Sequence, residues 1–286
     1  MTPDDRTTAA LPGRNELESY LNGLGVPSLA AKTVPFDPGY DAHTVVSHIA
    51  QSAHLMAGLK LSMACWQIAS ISATRAKIDA ARANAVPVVT GGANFEIAVE
   101  RGTLESFLGM CEALGVDCIE AGEGFTQLII SAKQTLAMAR DYGLDVQFEI
   151  GRKNDGTFTP QRVRELVGQG REWLEAGAVR IVIEARESAQ GIGLFDARGE
   201  LRKDLVDLLV DELPLEVLCF EAPTKASQFA LLKHLGPEVV LSNVRLEELL
   251  RVEVFRRGLH ADSYGHHQLG AWSSFDEEQV LELVGR

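Results

Sequence analysis

From residue 31 onward, short apolar runs and amphipathic stretches alternate eight times along this chain. Strand-like runs fall near 32–36, 56–61, 86–90, 116–120, 145–149, 179–184, 216–221 and 238–242. Helix-like stretches fall near 43–53, 66–84, 95–114, 126–142, 160–176, 202–211, 225–235 and 244–257. Eight such units at this spacing predict a single (β/α)8 TIM-like barrel over 31–265. Local chemistry marks several boundaries. Thr159-Pro160 suits an N-cap followed by proline in the first helical turn, and Gly115, Gly143 and Gly177 stand where a left-handed C-cap is wanted. Residues 1–30 are a polar arm with one short helical pattern near Glu16–Leu24. Residues 266–286 form a C-terminal extension ending in an acidic amphipathic helix, Ser274–Val284, expected to cover the barrel or a neighbouring subunit of a homo-oligomer.

Four of the apolar runs end in glutamate: Glu120, Glu149, Glu184 and Glu221. In a barrel of this kind the strand C-termini meet at one mouth, where active sites are built. Any one of these carboxylates is explained equally well as an ion pair or a cap. Four together would repel one another unless something positive sits among them. Oxygen ligands favour a hard cation, and Mg²⁺ commonly takes one or two carboxylates plus water and substrate oxygens. Two or three of the four suffice for it, leaving the others to orient cationic side chains.

Cations stand close by in sequence. Lys60 ends the second strand, Arg152 and Lys153 follow Glu149, Arg186 follows Glu184, and Lys225 follows Glu221. They read either as salt-bridge partners of the glutamates or as an anion pocket, with a lysine available for proton transfer. Gly91 and Gly92, after the third strand, either admit a phosphate to the backbone or make a plain tight turn. Gly191-Ile192-Gly193 lacks the context of a dinucleotide fingerprint. His266-His267 is a poor metal pair because adjacent residues point apart, and nothing around Ser188 or Cys219 forms a nucleophile–base arrangement.

Composition narrows the partners. The net charge of −13 argues against nucleic acid, whose phosphates need a basic face. No apolar run reaches membrane-spanning length, and the N-terminus lacks the pattern of a secretory signal. The four cysteines, Cys65, Cys111, Cys118 and Cys219, have no metal or redox spacing and are expected to be reduced thiols. A cytoplasmic enzyme acting on small anionic substrates is the expectation.

Specific segments carry a family resemblance. Val88-Val89-Thr90-Gly91-Gly92-Ala93-Asn94-Phe95-Glu96 resembles the stretch after the third strand in phosphosulfolactate synthases. Phe148-Glu149-Ile150-Gly151-Arg152-Lys153 is similar to their E-[VI]-G-[KR]-K segment. Ile183–Ser188 continuing through Gly191–Asp196 is similar to E-x-R-E-S…G-x-G-L-[FY]-D. Phe220–Lys225 matches F-E-A-P-x-K, and Arg256–Gly265 resembles the closing R-R-G-L-x-x-D-[TS]-[FY]-G. The resemblance covers roughly residues 31–265, in order.

The resemblance implies a TIM-like barrel that catalyses Mg²⁺-dependent addition of sulfite to phosphoenolpyruvate, giving (2R)-phospho-3-sulfolactate by carbon–sulfur lyase chemistry. It assigns the general acid to Lys153, with Glu149 and Arg186 beside it as catalytic groups. Lys60, Gly91, Gly92, Arg152, Lys225 and Asn243 are the expected substrate-binding residues, and Glu120, Glu184 and Glu221 the expected metal ligands. Three mouth segments depart from the family pattern. D-K-G becomes Asp37-Pro38-Gly39. K-F-G-W-G-T becomes Lys60-Leu61-Ser62-Met63-Ala64-Cys65. E-[IV]-S-D-G becomes Glu120-Ala121-Gly122-Glu123-Gly124. Two alternatives follow: a related lyase or conjugate-addition enzyme using another enol phosphate or nucleophile, or a non-catalytic stress-related member of the family.

Overall fold

A computed structural model describes residues 13–127, 129–266 and 269. Its centre is a closed barrel of eight parallel strands in sequential order. The strands are β1 (Thr33–Asp37), β2 (Leu59–Leu61), β3 (Val88–Thr90), β4 (Cys118–Gly122), β5 (Asp145–Ile150), β6 (Arg180–Ile183), β7 (Leu218–Glu221) and β8 (Val240–Arg245). The helices are α1 (Arg14–Gly23), α2 (Ala42–Ser52), α3 (Cys65–Ile68), α4 (Ile71–Ala83), α5 (Gly92–Glu100), α6 (Leu104–Leu114), α7 (Ala132–Asp141), α8 (Pro160–Ala176), α9 (Lys203–Val210), α10 (Lys225–Leu235) and α11 (Leu249–Arg256). This is the expected (β/α)8 barrel. The helix expected at Ser274–Val284, and His267, lie outside the described residues.

Side chains alternate across each strand. One set (Ile119, Ala121, Phe148, Ile150, Ile181, Ile183, Phe220, Leu241) is buried in the large cluster that includes the helices. Within that layer Phe148 stacks on Trp173, ring centroids 4.6 Å apart. Each of the larger of these fully buried side chains contributes about 1.5–3 kcal/mol of transfer free energy. The other set points inward. Val34, Val89, Val182, Cys219 and Val240, with Ala57 and Cys118 against them, form a separate small cluster. Two residues further along, the same faces of β4, β6 and β7 present Glu120, Glu184 and Glu221. The apolar plug is therefore the floor beneath the carboxylates.

Local capping follows the expected chemistry. The Thr159 side chain accepts from the Arg162 amide with Pro160 in the first turn, and Gly115 and Gly177 are left-handed C-caps. Gly143, one residue past the cap of α7, also has positive φ. Two expected helices are broken. The stretch 66–84 divides because Ser70 caps α4 by accepting from Ala73 N at 3.3 Å. The stretch 95–114 divides at Gly102, which has φ +66°. The last expected helix starts late, since β8 runs on to Arg245 and a 3-10 turn, Leu246–Glu248, intervenes. The four cysteines are free. No helix among the described residues is long and apolar enough to cross a membrane.

Candidate active site

A cavity of about 680 Å³ opens at the C-terminal ends of the strands. Its floor is made by the four strand-ending glutamates and Lys60, all nearly inaccessible: Glu120 is 1%, Glu149 7%, Glu184 2%, Glu221 3% and Lys60 5% exposed. The Lys60 ammonium lies between two of them, 2.8 Å from Glu120 Oε1 and 3.2 Å from Glu221 Oε1. Burial works against that ammonium, but the fields of Glu120, Glu221 and Glu149 outweigh it and hold the proton more firmly than usual.

The four carboxylates are not equivalent. Glu120 also accepts from Gly92 N at 3.1 Å and from Gln147 Nε2 at 2.8 Å. Glu221 accepts from Ala185 N at 3.0 Å and from Asn243 Nδ2 at 2.5 Å. Glu184 accepts from Arg186 N at 2.5 Å through Oε1, while its buried Oε2 has no partner among the described residues. Glu149 receives no donor from among the described residues. Burial, then repulsion from Glu184, Glu120 and Glu221, pushes its carboxyl well above the usual range, with Lys60 only partly opposing. Burial likewise lifts Glu221 to about 7, against the pull of Lys60 and with help from Glu184. One ammonium does not compensate four carboxylates: the charge strain falls on Glu149 and Glu221, while Glu149 and Glu184 have the fewest donors.

The cavity wall supplies further cations: Lys153 from the loop after β5, Arg186 after β6, and Arg245 at the end of β8. Arg186 has φ +56°, and its guanidinium donates to Lys153 O at 3.0 Å, joining two adjacent loops. Asn243 also has positive φ, and its buried Oδ1 lacks a partner among the described residues. Met63, with φ +46°, lines the same mouth. Non-glycine residues rarely take this conformation, and they gather at sites where the surroundings enforce it.

Of the residues expected at the site, Glu120, Glu149, Glu184, Glu221, Lys60, Gly91, Gly92, Lys153, Arg186 and Asn243 line the cavity, and Arg152 and Lys225 do not. The Arg152 guanidinium turns to Glu123, 3.5 Å away, because Glu123 stands beside it on the rim. Lys225 opens α10, lies 5.1 Å from the Phe229 ring centroid and pairs with Asp262 at 3.6 Å. Neither glycine amide is free for a phosphate, since Gly91 N donates to Leu61 O and Gly92 N to Glu120. Their small size has another use: a Cβ at Gly91 would sit 3.2 Å from Met63 N. Glu120, Glu184 and Glu221, the expected metal ligands, all face the cavity. Among the described residues no three His, Cys, Asp or Glu side chains are arranged around a metal position. Glu120 and Glu221 each already carry three donors. Sequence reasoning also missed Gln147, which shares a strand face with Glu149 two residues on, and Arg245, two residues past Asn243.

The pairing of this fold and mouth has counterparts among known proteins. Residues 27–262 match the family described as (2R)-phospho-3-sulfolactate synthase (ComA). The phosphosulfolactate synthase of Methanothermobacter thermautotrophicus is 36% identical over 193 residues, covering 66% of this chain and 74% of that protein. The Methanocaldococcus jannaschii phosphosulfolactate synthase is 29% identical over 234 residues, covering 82% of this chain and 93% of that protein. Among solved structures, the carboxyl transferase domain of Rhizobium etli pyruvate carboxylase superposes with a TM-score of 0.52 at 13% identity, over 92% of this chain and 50% of that one, a likeness of fold alone. On the match over most of its length, the chain belongs to the phosphosulfolactate synthase family of enzymes.

Proposed function

We propose that the chain catalyses Mg²⁺-dependent addition of sulfite to phosphoenolpyruvate, giving (2R)-phospho-3-sulfolactate. The observation that carries this reading is the unpartnered Oε2 of Glu184 beside the donor-poor Glu149, below a wall that carries Lys153 and Arg186. Two underserved carboxylates fit a hard divalent cation that takes one or two such ligands and completes its shell with water and substrate oxygens. Glu184 and Glu149 would hold Mg²⁺, whose positive charge favours electron build-up on a substrate carboxylate. Glu120 and Glu221 instead anchor Lys60, which brings permanent positive charge to the floor.

In the reaction the sulfite sulfur bonds to the methylene carbon of phosphoenolpyruvate, and the C=C electron pair moves onto the carboxylate as an enediolate. Lys60 and Arg186 stabilise that anion in a site of low dielectric, where fixed cations act most strongly. Lys153 then delivers its Nζ proton to the carbon bearing the phosphate ester, and the ester stays intact. Arg186 and Arg245 bind the outer anionic groups, Arg186 as a planar donor suited to phosphate or carboxylate. The test is direct: purified protein with phosphoenolpyruvate and sulfite is expected to consume both only when Mg²⁺ is present, with a product of the summed mass. Absence of turnover at every Mg²⁺ concentration would overturn the reading.

A second reading is favoured by Met63, half exposed at the mouth and held in a left-handed conformation. It is that the enol phosphate is kept while another nucleophile replaces sulfite. Consumption of phosphoenolpyruvate with a different sulfur or oxygen nucleophile, faster than with sulfite, would favour it over the first.

A further inference from the structure

Helix α5 ties strand β4 and two mouth loops together from its first turns. Gly92 N donates to Glu120, Asn94 Nδ2 donates to Met63 O at 2.6 Å, and Glu96 holds the loop that follows β4. Glu96 is 2% exposed, and the groups that satisfy its carboxylate are amides and a hydroxyl. Its Oε1 accepts from Gly124 N at 2.9 Å. Its Oε2 accepts from Phe125 N at 3.0 Å, Thr126 N at 2.8 Å and Thr126 Oγ1 at 2.8 Å. Bonds of this kind to a charged acceptor are roughly twice as strong as neutral ones.

The clamped loop in turn touches Lys153 at two points and leaves no room for a side chain at Gly124 beside it. Gly124 O accepts from Lys153 N at 2.9 Å. The Phe125 ring centroid is 5.4 Å from Lys153 Nζ, within cation–π range. A Cβ at Gly124 would lie 3.0 Å from Glu96 Oε1, 3.2 Å from Glu149 Oε1 and 3.3 Å from Lys153 Cε. The loop is therefore a thin spacer between the Glu96 carboxylate on one side and Glu149 with the lysine stem on the other. A lysine has a flexible four-carbon stem and no fixed geometry of its own, so its aim depends on what packs along it.

We propose that Glu96 is a positioning residue for Lys153, acting through the 124–126 loop. The proposal rests on the assignment of Lys153 as proton donor made above. Glu96→Gln keeps the volume but offers one acceptor oxygen, and turns an NH₂ group toward backbone donors. It is expected to lower kcat about ten- to a hundredfold, the scale of a misplacement near 1 Å, with KM for both substrates changed by less than about twofold. In a Lys153→Ala background the same change is expected to cost no further factor, because the group it positions is gone. Amide exchange at Gly124, Phe125, Thr126 and Lys153 is expected to quicken about tenfold, with β5 unaffected. The proposal is overturned if exchange at Lys153 stays at the wild-type rate. An unchanged kcat, or an undiminished loss in the Lys153→Ala background, overturns it equally. If Glu96→Gln does not fold, Thr126→Val removes one of the four bonds and must lower kcat in the same direction. A wild-type protein inert toward sulfite and phosphoenolpyruvate would sink the functional reading alone. Exchange at Lys153 would then still decide whether Glu96 holds it.

Discussion

Lys60 is the residue on which the floor of the mouth depends. Its ammonium is the positive group shared by Glu120 and Glu221, and all three are buried. Removing one partner of such a cluster leaves charge uncompensated at low dielectric, so Lys60→Met is expected to cost about 3–5 kcal/mol in urea unfolding at neutral pH. The carboxyl groups act in the opposite sense. Glu221 is lifted from 4.5 to about 7, and Glu149 is lifted well above 4.5. A folded-state carboxyl that holds its proton more tightly than the unfolded chain loses stabilising effect as pH rises. Stability of the ligand-free protein should therefore fall between pH about 4.5 and 7. Glu149→Gln is expected to flatten that decline and to raise the unfolding midpoint in mildly alkaline buffer while abolishing turnover. A steeper decline in the variant would refute the charge assignment.

The elements that shape the mouth are the loops after the strands, and the one after β6, residues 184–202, is closely packed against its own start. Gly193 has φ +58°, and a Cβ there would lie 2.3 Å from the backbone oxygen of Glu184. Gly193→Ala must displace either this loop or Glu184, and a loss of about 1–3 kcal/mol is expected, the range for strain at a special backbone position. Weakened Mg²⁺ binding should accompany it, measured by calorimetry. The same loops show how much of the molecule is legible in its sequence. Every strand is legible as an apolar run, and the glutamates that the pattern marks fall within one residue of the ends of β5, β6 and β7. The breaks at Ser70 and Gly102 are not, because single caps interrupt otherwise continuous amphipathic stretches. That the carboxylates share one mouth is legible from strand alternation. Which of them is satisfied is not, because Gly92, Gln147 and Asn243 reach them across the fold. Glu96 is hidden for a similar reason: its partners are backbone amides 28–30 residues away.

At the scale of the whole molecule the barrel divides its labour between two ends. At the end opposite the mouth, Arg256 is fully buried and donates to Glu253 Oε1, Thr33 Oγ1 and the carbonyl oxygens of Pro237 and Val239. It thereby joins α11 to the start of β1 and the segment entering β8, closing the barrel seam where the first and last strands pair. Arg256→Ala is expected to cost about 3–5 kcal/mol and to leave kcat per folded molecule unchanged, as judged by active-site titration beside denaturation. Lys153→Ala should do the reverse. The unused lone pairs of Glu184 Oε2 have a practical corollary. A molecule that folds around unmet electrostatic demand melts later whenever anything meets that demand, and a ligand at a hundred times its Kd adds about 2.7 kcal/mol. Melting temperature thus becomes a reporter that works whatever the reaction turns out to be, and a panel of divalent cations crossed with small anions would let the protein rank its own substrates.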